Sequence, residues 1–214
     1  MAAAGARRLP MFPLGTVLFP YGVLPLHVFE PRYRLMTEHC LAADASFGVV
    51  LIERGSEVGG GDTRFDVGTL ARIVRAGQLP DGRYVLATVG VRRLRVREWL
   101  PDDPYPQAEV ELLDDPVADG TGPGAPERCD AVTRLLRRVL ALRAELGEPV
   151  ADLTVELTAD DVTRAGYEAA ALGPFGPLDA QALLELDDPL ARLARIEELL
   201  GDEIRFLEFR LAGG

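Results

Sequence analysis

The 214-residue sequence has no lysine and no asparagine, and its 23 basic residues are all arginine. Serine, cysteine and histidine occur only twice each. Each shortage removes chemistry. Without lysine there is no phosphate loop of the GxxxxGK(S/T) form, no Ser-Lys dyad and no Schiff-base nucleophile. Ser46 and Ser56 stand in Ala-Ser-Phe-Gly and Gly-Ser-Glu-Val, neither of which is the G-x-S-x-G turn of a hydrolase. Cys40 and Cys129 lie far apart without a CxxC partner, so they read as buried neutral thiols rather than metal ligands. No apolar run approaches the ~20 residues that cross a bilayer. The segment after Arg7 and Arg8 is broken by Pro10, Pro13, Pro20 and Pro25, unlike the apolar region of a signal peptide. A cytoplasmic location and no membrane contact are expected.

What is present is an ordinary globular composition, 48% hydrophobic and 27% charged, with a net charge of −11. That balance disfavours general nucleic-acid binding. The charge is unevenly placed: residues 72–97 hold seven Arg and one Asp, whereas residues 98–119 hold eight acids and no base. Two readings follow. Arg93, Arg95 and Arg97 pair across strands with Glu109 and Glu111, or they form an exposed face for an acidic partner.

Along the chain, Leu14–Phe19 and Val23–Phe29 read as short proline-punctuated strands of edge type. Pro31 then opens a helix whose apolar side is Tyr33, Met36, Thr37, Cys40 and Leu41. Phe47–Ile52 reads as a buried strand, and Gly59-Gly60-Gly61-Asp62 as a loop. Leu70–Val74 and Tyr84–Val89 flank an Asp81-Gly82 turn, and Leu94 and Val96 alternate with the arginines. A last strand sets Ala108, Val110 and Leu112 against Gln107, Glu109 and Glu111. After a Gly/Pro-rich boundary the apolar period becomes 3.6, with Val132, Leu135, Leu136, Val139, Leu142 and Leu146 in one stripe. Helices follow at Val162–Leu172, at Asp179–Leu186 with Asp179 as N-cap, and from Pro189 with Leu193, Ile196, Leu200, Ile204, Leu207 and Leu211. The expected class is α+β, with strands at 9–116, a linker at 117–126 and helices at 127–211.

Three stretches carry a family resemblance: Leu9-Pro10-Met11-Phe12-Pro13-Leu14-Gly15, then Leu24-Pro25-Leu26-His27-Val28-Phe29-Glu30-Pro31-Arg32-Tyr33, then Val67-Gly68-Thr69-Leu70-Ala71-Arg72-Ile73. In order and spacing they resemble the N-terminal substrate-binding domain of Lon proteases. The likeness extends to Val91-Arg92-Arg93-Leu94-Arg95-Val96 and, more loosely, to the helical tail. It implies a PUA-like β-barrel with one inserted helix, followed by a C-terminal helical bundle. It also implies a stand-alone Lon-domain protein without the ATPase and protease domains, and therefore no enzyme.

The function expected is binding of client proteins or peptides, as an adaptor or regulator in proteolysis or quality control, with a protease or chaperone as further partner. The candidate binding residues are Glu30, Arg32 and Tyr33 at the strand-to-helix corner, and Arg93, Arg95 and Arg97. At that corner Glu30 could instead cap the helix and Tyr33 could enter the core. The alternative function is RNA binding, with the arginines of strand 92–97 on phosphates and Tyr84 or Trp99 stacking on bases. His27 and His39 have no further ligand at motif spacing and read as structural. The paired aspartates lack the D-x-(D/N)-x-(D/N)-G calcium loop and read as caps and turns. No catalytic residue, metal or cofactor is expected.

Overall fold

The computed structural model describes residues 7–54, 63–116, 124–150, 155–158 and 160–213. The glycine run at 59–61 and most of the expected linker, residues 117–123, lie outside these. The chain divides into two compact units, Met1–Asp114 and Asp115–Gly214.

The first unit contains six strands and one helix: β1 (Arg7–Leu14), β2 (Val23–Val28), α1 (Pro31–Ala42), β3 (Ser46–Arg54), β4 (Thr63–Gln78), β5 (Tyr84–Leu100) and β6 (Gln107–Leu112). The strand order is β2-β5-β4-β3-β1-β6, and a further pairing of β5 with β6 closes a barrel-like ring. Long β5 makes this possible. Its first part pairs antiparallel with β2 and its second part with β6, while β6 also pairs with β1. Bulges between Leu70 and Ala71, between Ile73 and Arg75, and between Val96 and Glu98 give the sheet the bends that closure requires. The hairpin joining β4 and β5 turns at Gly82, whose φ of 81° favours glycine, and the Asp81 carboxylate accepts the Arg83 N–H at 3.0 Å.

The first strand is Arg7–Leu14, not Leu14–Phe19. Two prolines obscured it, yet both sit where no ladder donor is needed. Met11 N–H donates to the Pro106 carbonyl at 2.8 Å, so odd positions of β1 turn their backbone groups toward the β6 side, and even positions toward β3. Pro10 lies before the β3 pairing begins at Met11, and Pro13 lies beyond the β6 pairing that ends at Pro10. Residues 15–22 then cross to β2. Gly22 accepts from Gly90 N–H at 2.9 Å, and a Cβ on Gly90 would overlap the Phe19 carbonyl, which is why glycine stands there.

Two apolar clusters fill the unit. One joins α1, through Tyr33, Met36 and Cys40, to Phe12, Phe47, Val49, Ile73 and Leu86; the other gathers Leu9, Met11, Val50, Leu70, Leu94 and Val110. Leu24, Leu26 and Val28 of β2 share one buried or half-buried face, as expected. Leu41, expected on the apolar side of α1, is instead 42% exposed.

The second unit is helical: α2 (Ala125–Glu145), α3 (Val162–Leu172), α4 (Pro177–Glu185) and α5 (Pro189–Ala212). Helix α2 starts inside the expected linker, because Gly124 at φ 80° leads directly into Ala125 and Pro126. The stripe Val132, Leu136, Val139 and Leu142 is buried, as are Leu193, Ile196, Leu200 and Leu207 of α5. Asp161 and Asp188 cap α3 and α5 through the N–H groups of Arg164 and Leu190. Asp179 caps nothing: Pro177 begins α4 two residues earlier, with Gly176 as its N-cap. No helix among the described residues is long and apolar enough to cross a membrane.

Candidate functional site

The ring has a gap. Strand β6 reaches from β5 to β1, but β2, on the other part of β5, has no pairing with β1. Between them lies a slot of about 160 Å³ walled by Phe12 and Leu14 of β1, by the consecutive residues Pro25 to Phe29, and by Glu30 and Tyr33 of the corner that opens α1. The walls are mixed, with the apolar residues Phe12, Leu14, Leu26, Val28 and Phe29 beside His27 and Glu30.

Both strand edges beside the slot are blunted. The Gly22–Gly90 bond sets the antiparallel alternation, so Leu24, Leu26 and Val28 bond to β5 while Val23, Pro25 and His27 turn their backbone groups away from it. Pro25 on one side and Pro13 on the other offer no N–H. A continuous inserted strand would therefore lack ladder donors at both positions.

Two of the three corner residues, Glu30 and Tyr33, line this slot, and Arg32 contacts both of them. Glu30 is the residue before α1, but its side chain makes no cap bond; it takes the Arg32 Nε at 3.1 Å instead. The Arg32 guanidinium lies 4.6 Å from the centroid of the Tyr33 ring. Tyr33 is 3% exposed and belongs to the core as well as to the slot wall. Beneath it on α1, burial pushes the Cys40 thiol up to about 12, and the Asp44 charge adds to the shift. His39 Nδ1 and the Tyr105 hydroxyl share a hydrogen bond at 2.8 Å, the structural role expected of that histidine.

The second expected group does not gather there. Arg93 is 1% exposed, because the β5 residue left unpaired between Gly90 and Arg92 reverses the alternation. Arg93 thus joins Thr69, whose hydroxyl donates to the Leu18 carbonyl of the crossing segment. Arg95 stands opposite Glu111, and Arg97 is ion-paired with Glu111, so the basic strand meets its own acidic neighbour. Of the residues proposed to stack on bases, Tyr84 is 8% exposed and the Trp99 ring is covered by Arg64 at 4.5 Å. Among the described residues no group of three or more His, Cys, Asp or Glu could hold a metal ion.

Of the residues expected from the sequence, Glu30 and Tyr33 line the slot; Phe12, Leu14, Leu26 and Phe29 were not singled out. Phe29 carried the one available signal, an aromatic ring just past the end of a strand, now 55% exposed.

A ring of strands carrying one inserted helix and a slot beside it, with a helical unit after it in the chain, is the architecture of this protein. The chain belongs to the ATP-dependent protease La (LON) substrate-binding domain family, whose profile matches residues 8–202. It is similar to the Lon protease of Trichlorobacter lovleyi, 30% identical over 207 residues that take in 93% of this chain and 24% of that protein. The chain thus spans about a quarter of the length of the curated relatives it matches. Among solved structures, the Lon N-terminal domain protein from Xanthomonas campestris is 30% identical with a TM-score of 0.63, covering 91% of this chain and 98% of that one. The N-terminal domain of the Mycobacterium avium complex Lon protease shares the fold at a TM-score of 0.65 and 16% identity, covering 92% of this chain and 99% of that one.

Proposed function

We propose that the chain recognises exposed apolar segments of client proteins, taking a client side chain into the slot between β1 and β2, and holds them without cutting them. The observation that carries this reading is the slot itself, with the side chains of Phe12, Leu14, Leu26 and Phe29 beside the corner of Glu30, Arg32 and Tyr33. A slot of about 160 Å³ has room for one leucine or phenylalanine side chain, and full burial of such a group stabilises binding by about 1.5–3 kcal/mol. Membership of a substrate-binding family supports a protein segment as the occupant. The apolar wall residues and proline-blunted edges favour side-chain docking over strand addition. In this reading Phe29 covers the occupant and the Arg32–Glu30 pair fixes the first turn of α1 beside it. The domain works as an adaptor in proteolysis or quality control, handing bound clients to a protease or chaperone.

The test is binding of a permanently unfolded model protein, followed by fluorescence anisotropy. Phe29→Asp, at a half-exposed position, is expected to weaken binding about tenfold, one fully buried contact's worth, with the unfolding midpoint unchanged. Unaltered affinity in that variant, or no association by the unmodified protein, rules the slot out as the recognition site.

A further inference from the structure

The face of β2, β5 and β4 opposite the α1 cluster is a second surface, which adjoins the slot at Pro25. Strand register orders it in rows: Val23 beside Val89 beside Arg72, then Pro25 beside Ala87 beside Arg75. These side chains alternate with Leu24, Leu26 and Leu86, which enter the core. Val23 is 70% exposed, Val85 in the next row 37%, and Val74, in the bulge between Ile73 and Arg75, 59%. An apolar face of this kind marks a binding surface when it is contiguous.

Its chemistry is defined by the two arginines at its border. Arg72 and Arg75 are exposed and form no ion pair among the described residues. Three other arginines of β5 and its turn, Arg83, Arg92 and Arg97, are each held by a carboxylate, and Arg95 stands opposite Glu111 in the register. Nor does the unit as a whole carry the acidity of the chain, since residues 1–114 have thirteen arginines against fourteen acids and residues 115–214 have ten against twenty. Screening confines distant charges to about 8–10 Å, so the local pair of guanidiniums dominates the field at this face.

We propose that this face binds an extended protein segment in which apolar residues are interspersed with Asp or Glu, the apolar side chains lying on Val23, Val85 and Val89 and the carboxylates on Arg72 and Arg75. The proposal rests on the reading of the chain as a recognition domain for protein segments and adds the charge of the segment. Geometry sets a spacing as well. Arg72 and Arg75 stand beside Val89 and Ala87, two positions apart on β5, and same-face residues of an extended chain recur about every 6.7 Å. Carboxylates at positions i and i+2 therefore match the two guanidiniums.

The test uses fluorescence anisotropy at low ionic strength with three labelled valine-rich peptides of about 12 residues, long enough to cross the sheet. They differ only at positions i and i+2, which carry two Glu, two Gln or two Arg. The Glu peptide is expected to bind about three- to tenfold more tightly than the Gln peptide, as two exposed ion pairs allow, and the Arg peptide more weakly than either. Raising salt to about 0.5 M removes the difference. The double variant Arg72→Glu/Arg75→Glu reverses the order; should it fail to fold, Arg72→Gln/Arg75→Gln brings the Glu peptide to the affinity of the Gln peptide. Equal binding of Glu and Gln peptides to the unmodified protein, or an order untouched by the variants, overturns the proposal and leaves slot recognition standing. Failure of every peptide and of the unfolded model protein to bind overturns both.

Discussion

The ring of Tyr33 stacks on that of Phe12 with centroids 4.2 Å apart and 7° between planes. The first turn of α1 is thereby fixed against β1, and one wall of the slot is the same object as part of the core. Truncating either ring leaves the other facing a void. Tyr33→Ala is expected to lower unfolding free energy by about 3–5 kcal/mol, and Phe12→Ala by a similar amount. Denaturant titration of both single variants and the double variant checks the contact, because stacked rings couple by about 0.5–1.5 kcal/mol. Strict additivity would mean that the stack contributes nothing beyond area burial.

Arg192 is wholly buried in α5, with its guanidinium carbon 4.0 Å from the Tyr167 ring centroid. Its Nε donates to the Leu183 carbonyl at 3.0 Å, and its terminal nitrogen donates to the Leu186 carbonyl and to the Tyr167 hydroxyl. That hydroxyl donates in turn to the Asp115 carboxylate at 2.7 Å. Arg192→Met preserves most of the volume but removes the donor to two carbonyls and a hydroxyl, so a loss of about 3 kcal/mol is expected. Thermal unfolding with no shift in midpoint would contradict this account of how the helical unit is held.

The Cys40 thiol ionises ordinarily at 9.0 and is pushed up to about 12 by burial, with Asp44 adding to the shift. A raised pKa means that the folded state holds the proton more tightly than the unfolded chain. The stabilisation is complete below pH 9 and disappears as pH climbs from 9 toward 12, at about 1.4 kcal/mol per unit of pH. Cys40→Ala is expected to flatten this alkaline limb, as read from urea midpoints between pH 8 and about 10.5. Alkylation of both thiols at pH 8 should be slow in the native protein and rapid in denaturant, since Cys129 is also buried with its thiol pushed up by desolvation. A native protein that reacts as fast as the unfolded one contradicts this burial.

Local signals in the sequence carried the helices and most strands. Pro31 opens α1, Asp188 caps α5, and Val162–Leu172 is the third helix to the residue. The misreadings share one cause, which is that pairing partners are not written locally. Pro10 and Pro13 look like breakers until β3 and β6 are known to lie beside different halves of β1. Arg93 looks exposed until the bulge before Arg92 moves it to the face that carries Thr69. The corner residues Glu30, Arg32 and Tyr33 were legible because a helix start announces itself. The opposite wall, Phe12 and Leu14, arrives only through ring closure.

The prolines on the two strand edges beside the slot, Pro13 and Pro25, have a consequence for timing. A guest that cannot be zipped into the ladder is never built in, so its grip is confined to the few groups it inserts. Such a hold is brief and repeatable, and many dissimilar sequences can share it in turn. On the proposed reading of the slot as a recognition site, two missing amide hydrogens keep its exit as open as its entrance.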